Sequence, residues 1–464
     1  MNTASIHRIL LVSANTVTNP YPVFPLGLAF LESALLKSGF EVRIWDQLIH
    51  SGDRLLEDLD WAHAAGLSFR NVDNVSSTAP EGYLGQYKAL LQKIRRHKEL
   101  PLIGGGSAFS IFPREMLQDL GLQFGIQGEA ETALVDWIHA LNGHRDLETI
   151  PGLVYRNADG TIAANIPQSI PPADIPVIRP DPALVAAYLD RGGMLNIQSQ
   201  RGCAFHCTYC TYPWIEGKCY RHRDPVDIVA EMRHLRSAGV RYVFLTDSVF
   251  NTSPRHVREV CRAIIEAGLK MDWGCFARPQ KLEGDLLDLM IEAGLKHIEF
   301  GSDSFSDRTL ESYGKSFRFK DILETSRMAA KRRVHACHYV IFGGPGETGE
   351  TIRETVENSK LLPDVPIFAF SGMRIYPHTP LYEKSGTDKK PGELLDPAYY
   401  TPPGLPDKER ERIIREATAN LPNWILSDHA NSNFKLTARL REKGKQGPLW
   451  EYLALSRRIG QPVT

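Results

Sequence analysis

Arg201-Gly-Cys203-Ala-Phe-His-Cys207-Thr-Tyr-Cys210 follows directly on a strand-like run, Met194-Leu-Asn-Ile-Gln-Ser-Gln200. Three cysteines at the spacing C-x3-C-x2-C on one short loop can hold three irons of a [4Fe–4S] cube and leave the fourth iron without a protein ligand. An iron left open in this way is a reaction site, because another molecule must bind there. Zinc sites usually supply four ligands as two C-x2–4-C or His pairs. On spacing alone a zinc site or unrelated buried thiols stay as the alternatives.

Downstream of this loop the chain alternates short apolar runs with helical patterns. Strands are predicted at residues 196–200, 241–247, 271–278, 297–301, 338–343 and 368–376, with helices at 225–238, 254–267 and 284–293 between them. Six strands joined by helices predict a partial (βα)6 barrel, in which chemistry sits at the carboxyl ends of the strands. Upstream, strands are expected at 8–12, 41–45, 66–70, 101–107 and 123–128, with a helix starting near Leu26 and stopped by Gly39. That rhythm predicts a doubly wound, Rossmann-like parallel sheet with its ligand crevice beyond the strand ends. Between the two, Asn157-Ala-Asp-Gly160 reads as the turn of a hairpin, and residues 166–182 as a proline-rich extended linker. The α/β chain therefore divides into 1–148, a hairpin and linker over 149–190, a barrel over 191–385, and a mostly helical extension over 386–464. Helices of the extension are expected at 408–420, 434–443 and 450–458.

The 464 residues carry a formal net charge of −1, against a general binder of nucleic acid or of acidic membrane surfaces. The N-terminus lacks a signal-peptide pattern and no apolar run approaches the ~18 residues of a spanning helix, so a cytoplasmic location is expected. All seven cysteines lie between Cys203 and Cys337. One cluster is the simplest use of them, and a reducing compartment suits the unpaired remainder.

The C-x3-C-x2-C loop resembles that of the radical S-adenosylmethionine (SAM) superfamily. Pro25-Leu-Gly-Leu28, Gly104-Gly-Gly-Ser107, Gly128-Glu-Ala-Glu131 and Arg374-Ile-Tyr-Pro-His-Thr-Pro-Leu extend the likeness to class B radical SAM enzymes, which fuse a cobalamin-binding domain to the barrel. The resemblance implies a [4Fe–4S] cluster on Cys203, Cys207 and Cys210, with SAM on the open iron. It also implies SAM contacts from Tyr209, Asp247, Arg278, Asp303, Gly343 and Gly344. A cobalamin would lie against Ser13, Arg70, Asn71, Gly105, Gly106, Ser107, Gly128 and Glu129. Its nucleotide tail would be buried base-off near Gly105–Ser107.

One departure matters. No Asp-x-His-x-x-Gly occurs in residues 1–150, so the usual lower-axial histidine is missing. Arg70 cannot ligate cobalt, since its guanidinium stays protonated. Beneath a corrin it would disfavour an axial water; the plain alternative pairs it with Asp73 or a neighbouring acid to shape the loop. Cys275 and Tyr212 are further catalytic candidates, the first because it lies on a strand near its catalytic end.

The activity implied is methylation of an unactivated carbon of a small molecule, with a deoxyadenosyl radical removing hydrogen and methylcobalamin supplying the methyl. An electron donor such as flavodoxin or ferredoxin would be needed. Ring-closing or rearranging relatives use the same cofactors and are the runner-up. A radical SAM enzyme without cobalamin and a non-enzymatic sensor complete the alternatives.

Overall fold

A computed structural model describes residues 5–426 and 430–452. The first sheet begins with β1 (Arg8–Ser13), β2 (Glu41–Asp46), β3 (Ala64–Ser68), β4 (Leu102–Gly105) and β5 (Phe124–Ile126), paired in parallel in the order β2-β1-β3-β4-β5. The order reverses between β1 and β3, so the loops leaving these two strands diverge and open a crevice at their carboxyl ends. β1 is an unbroken apolar run because both of its faces are covered. Leu10 and Val12 pack into one cluster, and Ile9 and Leu11 into another on the opposite face.

The hairpin at Asn157–Gly160 does not belong to the connecting segment. Its strands, β6 (Leu153–Arg156) and β7 (Ile162–Ala164), continue the first sheet antiparallel to β5. The sequence signals a hairpin by its turn but not the edge on which it docks. The expected linker also ends in order: Asp181 accepts from the amides of Ala183 and Leu184 at the start of helix Pro182–Gly192. Gly193, at φ +65°, closes that helix.

The second sheet carries all six expected strands, β8 (Leu195–Ile197), β9 (Tyr242–Leu245), β10 (Asp272–Ala277), β11 (Leu295–Asp303), β12 (His335–Phe342) and β13 (Ile367–Ser371). A seventh, β14 (Trp424–Leu426), joins in parallel beside β13. It comes from the extension expected to be helical, where three residues are too few to show a period. The helices expected near 408–420 and 434–443 are present as Asp407–Thr418 and Ala430–Glu442. Most of the stretch expected as a helix over 450–458 lies outside the described residues.

Between this sheet and its helices lies the largest core, with Ile298, Phe300, Val340, Phe342 and Ile367 among its members. The other face of the sheet is concave and turned toward the first domain. Tyr21, from the loop after β1, packs on Met194, Tyr242 and Phe244. Ser77, from the loop after β3, donates to the carbonyl of Ser371 at the end of β13 (2.5 Å). Two loops of the first domain thus reach both sides of the barrel mouth. Among the described residues no helix is long and apolar enough to cross a membrane.

Candidate active site

The cysteine loop is fixed at both ends by backbone. Cys203 N–H donates to Gly217 O (3.0 Å), Thr208 N–H to Tyr313 O (3.1 Å), and Leu381 N–H to Thr208 O (2.8 Å). Gly202, at φ +85°, lies so close to the Cys219 carbonyl that an added Cβ would sit 2.0 Å from its oxygen. Cys203 is buried and Cys207 and Cys210 are half-buried, all as free thiols. Among the described residues no three His, Cys, Asp or Glu side chains converge on one point where a single ion could sit. Three cysteine thiols on one short loop are a donor set that suits a [4Fe–4S] cube with one open iron.

Two buried cations flank this loop. Arg278 lies over the Phe205 ring at 3.5 Å and near Phe317 at 4.9 Å. Its Nη2 reaches Ser316 Oγ (3.1 Å), but its Nε is buried with no acceptor. A buried guanidinium with an open donor and no acid beside it fits an anionic ligand group. Lys315, which nothing in the sequence singled out, pairs with Asp303 at 2.5 Å; the Tyr209 hydroxyl donates to the same carboxylate. Tyr209, Asp303 and Lys315 thus form one buried triad against the cluster loop.

Several expected ligand residues are spoken for by the fold. Both oxygens of Asp247 point back to the end of β8, accepting from Ser199 N–H (2.7 Å), Ser199 Oγ (2.5 Å) and Gln200 N–H (3.1 Å). It sets the course of the chain into the cysteine loop. Gly343 and Gly344 are packed inside, since a Cβ on them would meet Arg410 at 2.9 Å and Tyr313 at 2.4 Å. Their amides donate to Glu347 and to the Tyr313 hydroxyl, leaving neither free for a ligand. Ser13 is buried against Asp46, whose carboxylate also takes the Tyr188 hydroxyl (2.9 Å). Cys275 is fully buried among the core residues between sheet and helices. Alternation along β10 turns it away from the concave face, into the core between sheet and helices. Tyr212 opens the short helix Tyr212–Ile215 after the loop and stays partly exposed.

Glu129 is also committed. It accepts from Arg221 Nη1 (2.8 Å) and from Ile170 N–H (2.7 Å), and lies 3.6 Å from Arg201. Arg201, two residues before Cys203, pairs with Glu131 at 2.5 Å, donates from Nε to Gln198 Oε1 at 3.0 Å, and lies over the Phe30 ring at 4.8 Å. Burial works against its charge, but Glu131 and Glu129 outweigh that and hold its pKa above the usual guanidinium value. Gly128-Glu-Ala-Glu131 is therefore a clamp from the first domain onto the start of the cysteine loop. Trp214 adds a second tie, donating to Ser110 O (2.9 Å) and stacking on His378 at 3.8 Å.

At this junction lies a cavity of about 240 Å³, lined by the ends of β3 and β4, Gly128–Glu131, and Gln198, Arg201 and Glu216 of the barrel. The three consecutive glycines have distinct tasks. Gly104 makes room for Phe69 and Leu122, and Gly106 at φ +94° presses on the Phe69 carbonyl. Gly105 faces the cavity, where an added Cβ would meet only the Ile126 oxygen at 3.8 Å. Beyond it, Ser107 Oγ donates to Arg70 O (2.7 Å) and Tyr87 Oη to Asn71 O (2.7 Å), fixing the loop after β3. Asp73 does not neutralise Arg70, because it is buried in a pair with Arg374 at 2.9 Å. Burial lowers the Arg70 pKa, with Tyr212, Tyr21, Tyr188 and Tyr87 among the titratable groups near it.

The Radical SAM superfamily profile matches residues 197–358, from β8 through the helix after β12. Residues 197–358 are thus similar to radical SAM domains. Tryptophan 2-C-methyltransferase of Streptomyces laurentii is 25% identical over 433 residues, spanning 77% of this chain and 71% of the relative. The structure of TsrM, a radical S-adenosylmethionine methyltransferase from Kitasatospora setae with cobalamin and a [4Fe-4S] cluster bound, superposes with a TM-score of 0.84. It covers 98% of this chain and 100% of that one at 24% identity. The cobalamin-dependent S-adenosylmethionine radical enzyme OxsB, with aqua-cobalamin and S-adenosylmethionine bound, superposes at 0.74 over 98% of this chain and 71% of its own, at 16% identity. Both likenesses run through the first domain as well as the barrel. The likeness in fold thus covers both the doubly wound domain and the open barrel.

Proposed function

We propose that this protein is a cobalamin-dependent radical SAM C-methyltransferase acting on a small molecule. The observation that carries the reading is the cavity at the ends of β3 and β4 of the first sheet, walled on its far side by residues that lead into the three-cysteine loop. Cys203, Cys207 and Cys210 would hold the [4Fe–4S] cluster. Arg278 would take the SAM carboxylate on its open Nε, and Tyr209 in the Asp303–Lys315 triad would border the same space. Gly105, Gly106 and Gly128 would admit the cobalamin tail, with Arg70, Asn71 and Ser107 under the corrin.

When bound, the cluster and SAM together supply a reductively generated carbon radical, and cobalamin supplies a methyl carrier. The chain's own residues hold and screen. Arg201, Glu129 and Glu131 fix the first domain against the cluster loop, so the two cofactor sites keep one spacing. Arg70, a cation that cannot coordinate a metal, would face the cobalamin without ligating it. Phe205 and Phe317 shield Arg278 from water, which strengthens its hold on an anion. A small electron-transfer protein such as flavodoxin or ferredoxin would supply electrons. Domain limits are proposed at 1–164 for the cobalamin domain, which includes the docked hairpin, and from about 191 for the barrel, which takes β14 from the extension.

Anaerobic reconstitution tests this directly. Iron and sulfide in cube stoichiometry should be present in the wild type and absent in Cys203→Ala, and the protein should retain base-off cobalamin. With SAM, reductant and a substrate, methylation yields S-adenosylhomocysteine together with 5'-deoxyadenosine. 5'-Deoxyadenosine alone would instead identify a cyclase or rearranging enzyme. An Arg70→Ala protein with unchanged cobalt spectrum and turnover would remove Arg70 from the scheme.

A further inference from the structure

Tyr220 lies beyond the cysteine loop in sequence, yet the fold returns it to the first of the three cysteines. After the short helix Tyr212–Ile215 the chain reverses and runs antiparallel to its own approach, with Arg221 opposite Arg201 and His222 opposite Gln200. Two contacts hold this return strap on the loop. Cys203 N–H donates to Gly217 O, and the Cys219 carbonyl presses on Gly202, where a side chain has no room. Arg221 fastens the end of the strap to Glu129 and to the carbonyls of Ile170 and Glu216. The Tyr220 ring stands edge-on to Phe205 at 6.1 Å, and Phe205 lies under Arg278. Strap and ring stack together keep Tyr220 against the base of the loop.

Its hydroxyl is shut off from solvent and has no hydrogen-bond partner among the described residues. Buried polar atoms in native folds are seldom left so, and an exception points to a group that completes the site. The polar groups beside the hydroxyl are the Cys203 thiol and the Ala204 amide. A thiol is a weak acceptor, whereas a charged thiolate makes a much stronger bond. A phenol keeps its proton at neutral pH, and burial together with Cys203 pushes that of Tyr220 higher still. With the Ala204 N–H turned to the oxygen, the hydroxyl proton is left for sulfur. The other cysteines have no such claim on a phenol. The Tyr209 hydroxyl is taken by Asp303, and Cys210 faces the Tyr212 amide.

We propose that Tyr220 donates an O–H···S hydrogen bond to Cys203 when that sulfur ligates iron, and thereby raises the reduction potential of the cluster. One electron entering the cluster adds negative charge to its sulfurs, which strengthens a bond from a donor and favours the reduced state. Tyr220 is a positioning residue that acts through Cys203, making the cluster easier for the electron donor to reduce. The inference rests on the cluster part of the proposed function and is independent of cobalamin and methyl transfer.

A mediated redox titration of the anaerobically reconstituted full chain, followed by electron paramagnetic resonance of the reduced cluster, reads the bond. Tyr220→Phe keeps the ring and removes the donor. Its reduction equilibrium should move about tenfold toward the oxidised cluster, a midpoint about 59 mV lower for one electron, at unchanged iron and sulfide. A cluster present in both proteins at one potential overturns the role of Tyr220 alone. A wild type that assembles no four-iron cluster overturns the cluster reading as well. Denaturation of the apo-proteins gives a second measurement that needs no cluster. With no partner for the hydroxyl in the fold, apo Tyr220→Phe should be at least as stable as the wild type. A tenfold loss in its folding constant would show that the fold itself uses the hydroxyl, and overturns the proposal. A variant of full stability that takes up no iron supports it, because the missing partner is then the cluster ligand.

Discussion

The clamp between the two domains makes an asymmetric prediction. Arg201 sits 2.5 Å from Glu131 and 3.6 Å from Glu129, with all three side chains at least nine-tenths buried. At an effective dielectric near 20 these separations correspond to attractions of roughly 6–7 and 4–5 kcal/mol, most of which offsets the desolvation of the charges. Glu131→Gln leaves Arg201 with Glu129 and Gln198, so it should lower stability by only about 1–2 kcal/mol. Arg201→Met leaves the Glu131 carboxylate buried without its cation, while Glu129 retains Arg221; this should lower stability by about 3–5 kcal/mol. The double variant should fall well short of the sum, because the second change removes the charge stranded by the first. Chemical denaturation of the four apo-proteins, followed by fluorescence, measures the cycle. An Arg201→Met protein no less stable than Glu131→Gln, or strictly additive changes, would refute the clamp.

Other positions give sharper single readouts. His338, held between Ser302 Oγ (2.7 Å) and Ser326 Oγ (3.0 Å), is pushed down to about 3 by burial. Its contribution is therefore complete above the ordinary histidine range and is lost as pH falls toward 3. Apo-protein stability should drop by about 2–3 kcal/mol from this group between pH 6 and 4, and denaturation of His338→Gln should show a flatter slope there. Gly125→Ala would set a Cβ 2.0 Å from Phe109 Cζ and should lower the melting transition by about 1–3 kcal/mol of stability. Gly105→Ala, with open space before it, should leave melting unchanged but reduce cobalamin uptake, read by visible absorbance. Arg278→Met should weaken SAM about 10–100-fold in equilibrium dialysis at unchanged iron content.

Regular elements are legible in the sequence because β1 and the six barrel strands carry long apolar runs punctuated by glycine and helix caps. Tertiary choices are not. Nothing local to Trp424-Ile-Leu426 says that it pairs with β13, and nothing near Asn157–Gly160 names the edge that receives the hairpin. In the site, the three cysteines announce themselves by spacing, whereas Asp247, Gly343 and Glu129 match family positions but are consumed by local hydrogen bonds. Lys315 gives no sequence signal, because its meaning depends on Asp303 across a strand end.

The seventh strand gives the barrel an order of completion. β14 and Trp450 are synthesised after every other part of the sheet, yet they cover the β13 edge and close the barrel beneath Glu299. A growing chain therefore carries an unpaired parallel edge at Ile367–Ser371 and an open concave face until more than fifty further residues have emerged. Exposed edges and apolar faces of this kind are where nascent chains associate wrongly. Slow or interrupted synthesis near the end should cost this protein more soluble product than the same delay in its first domain.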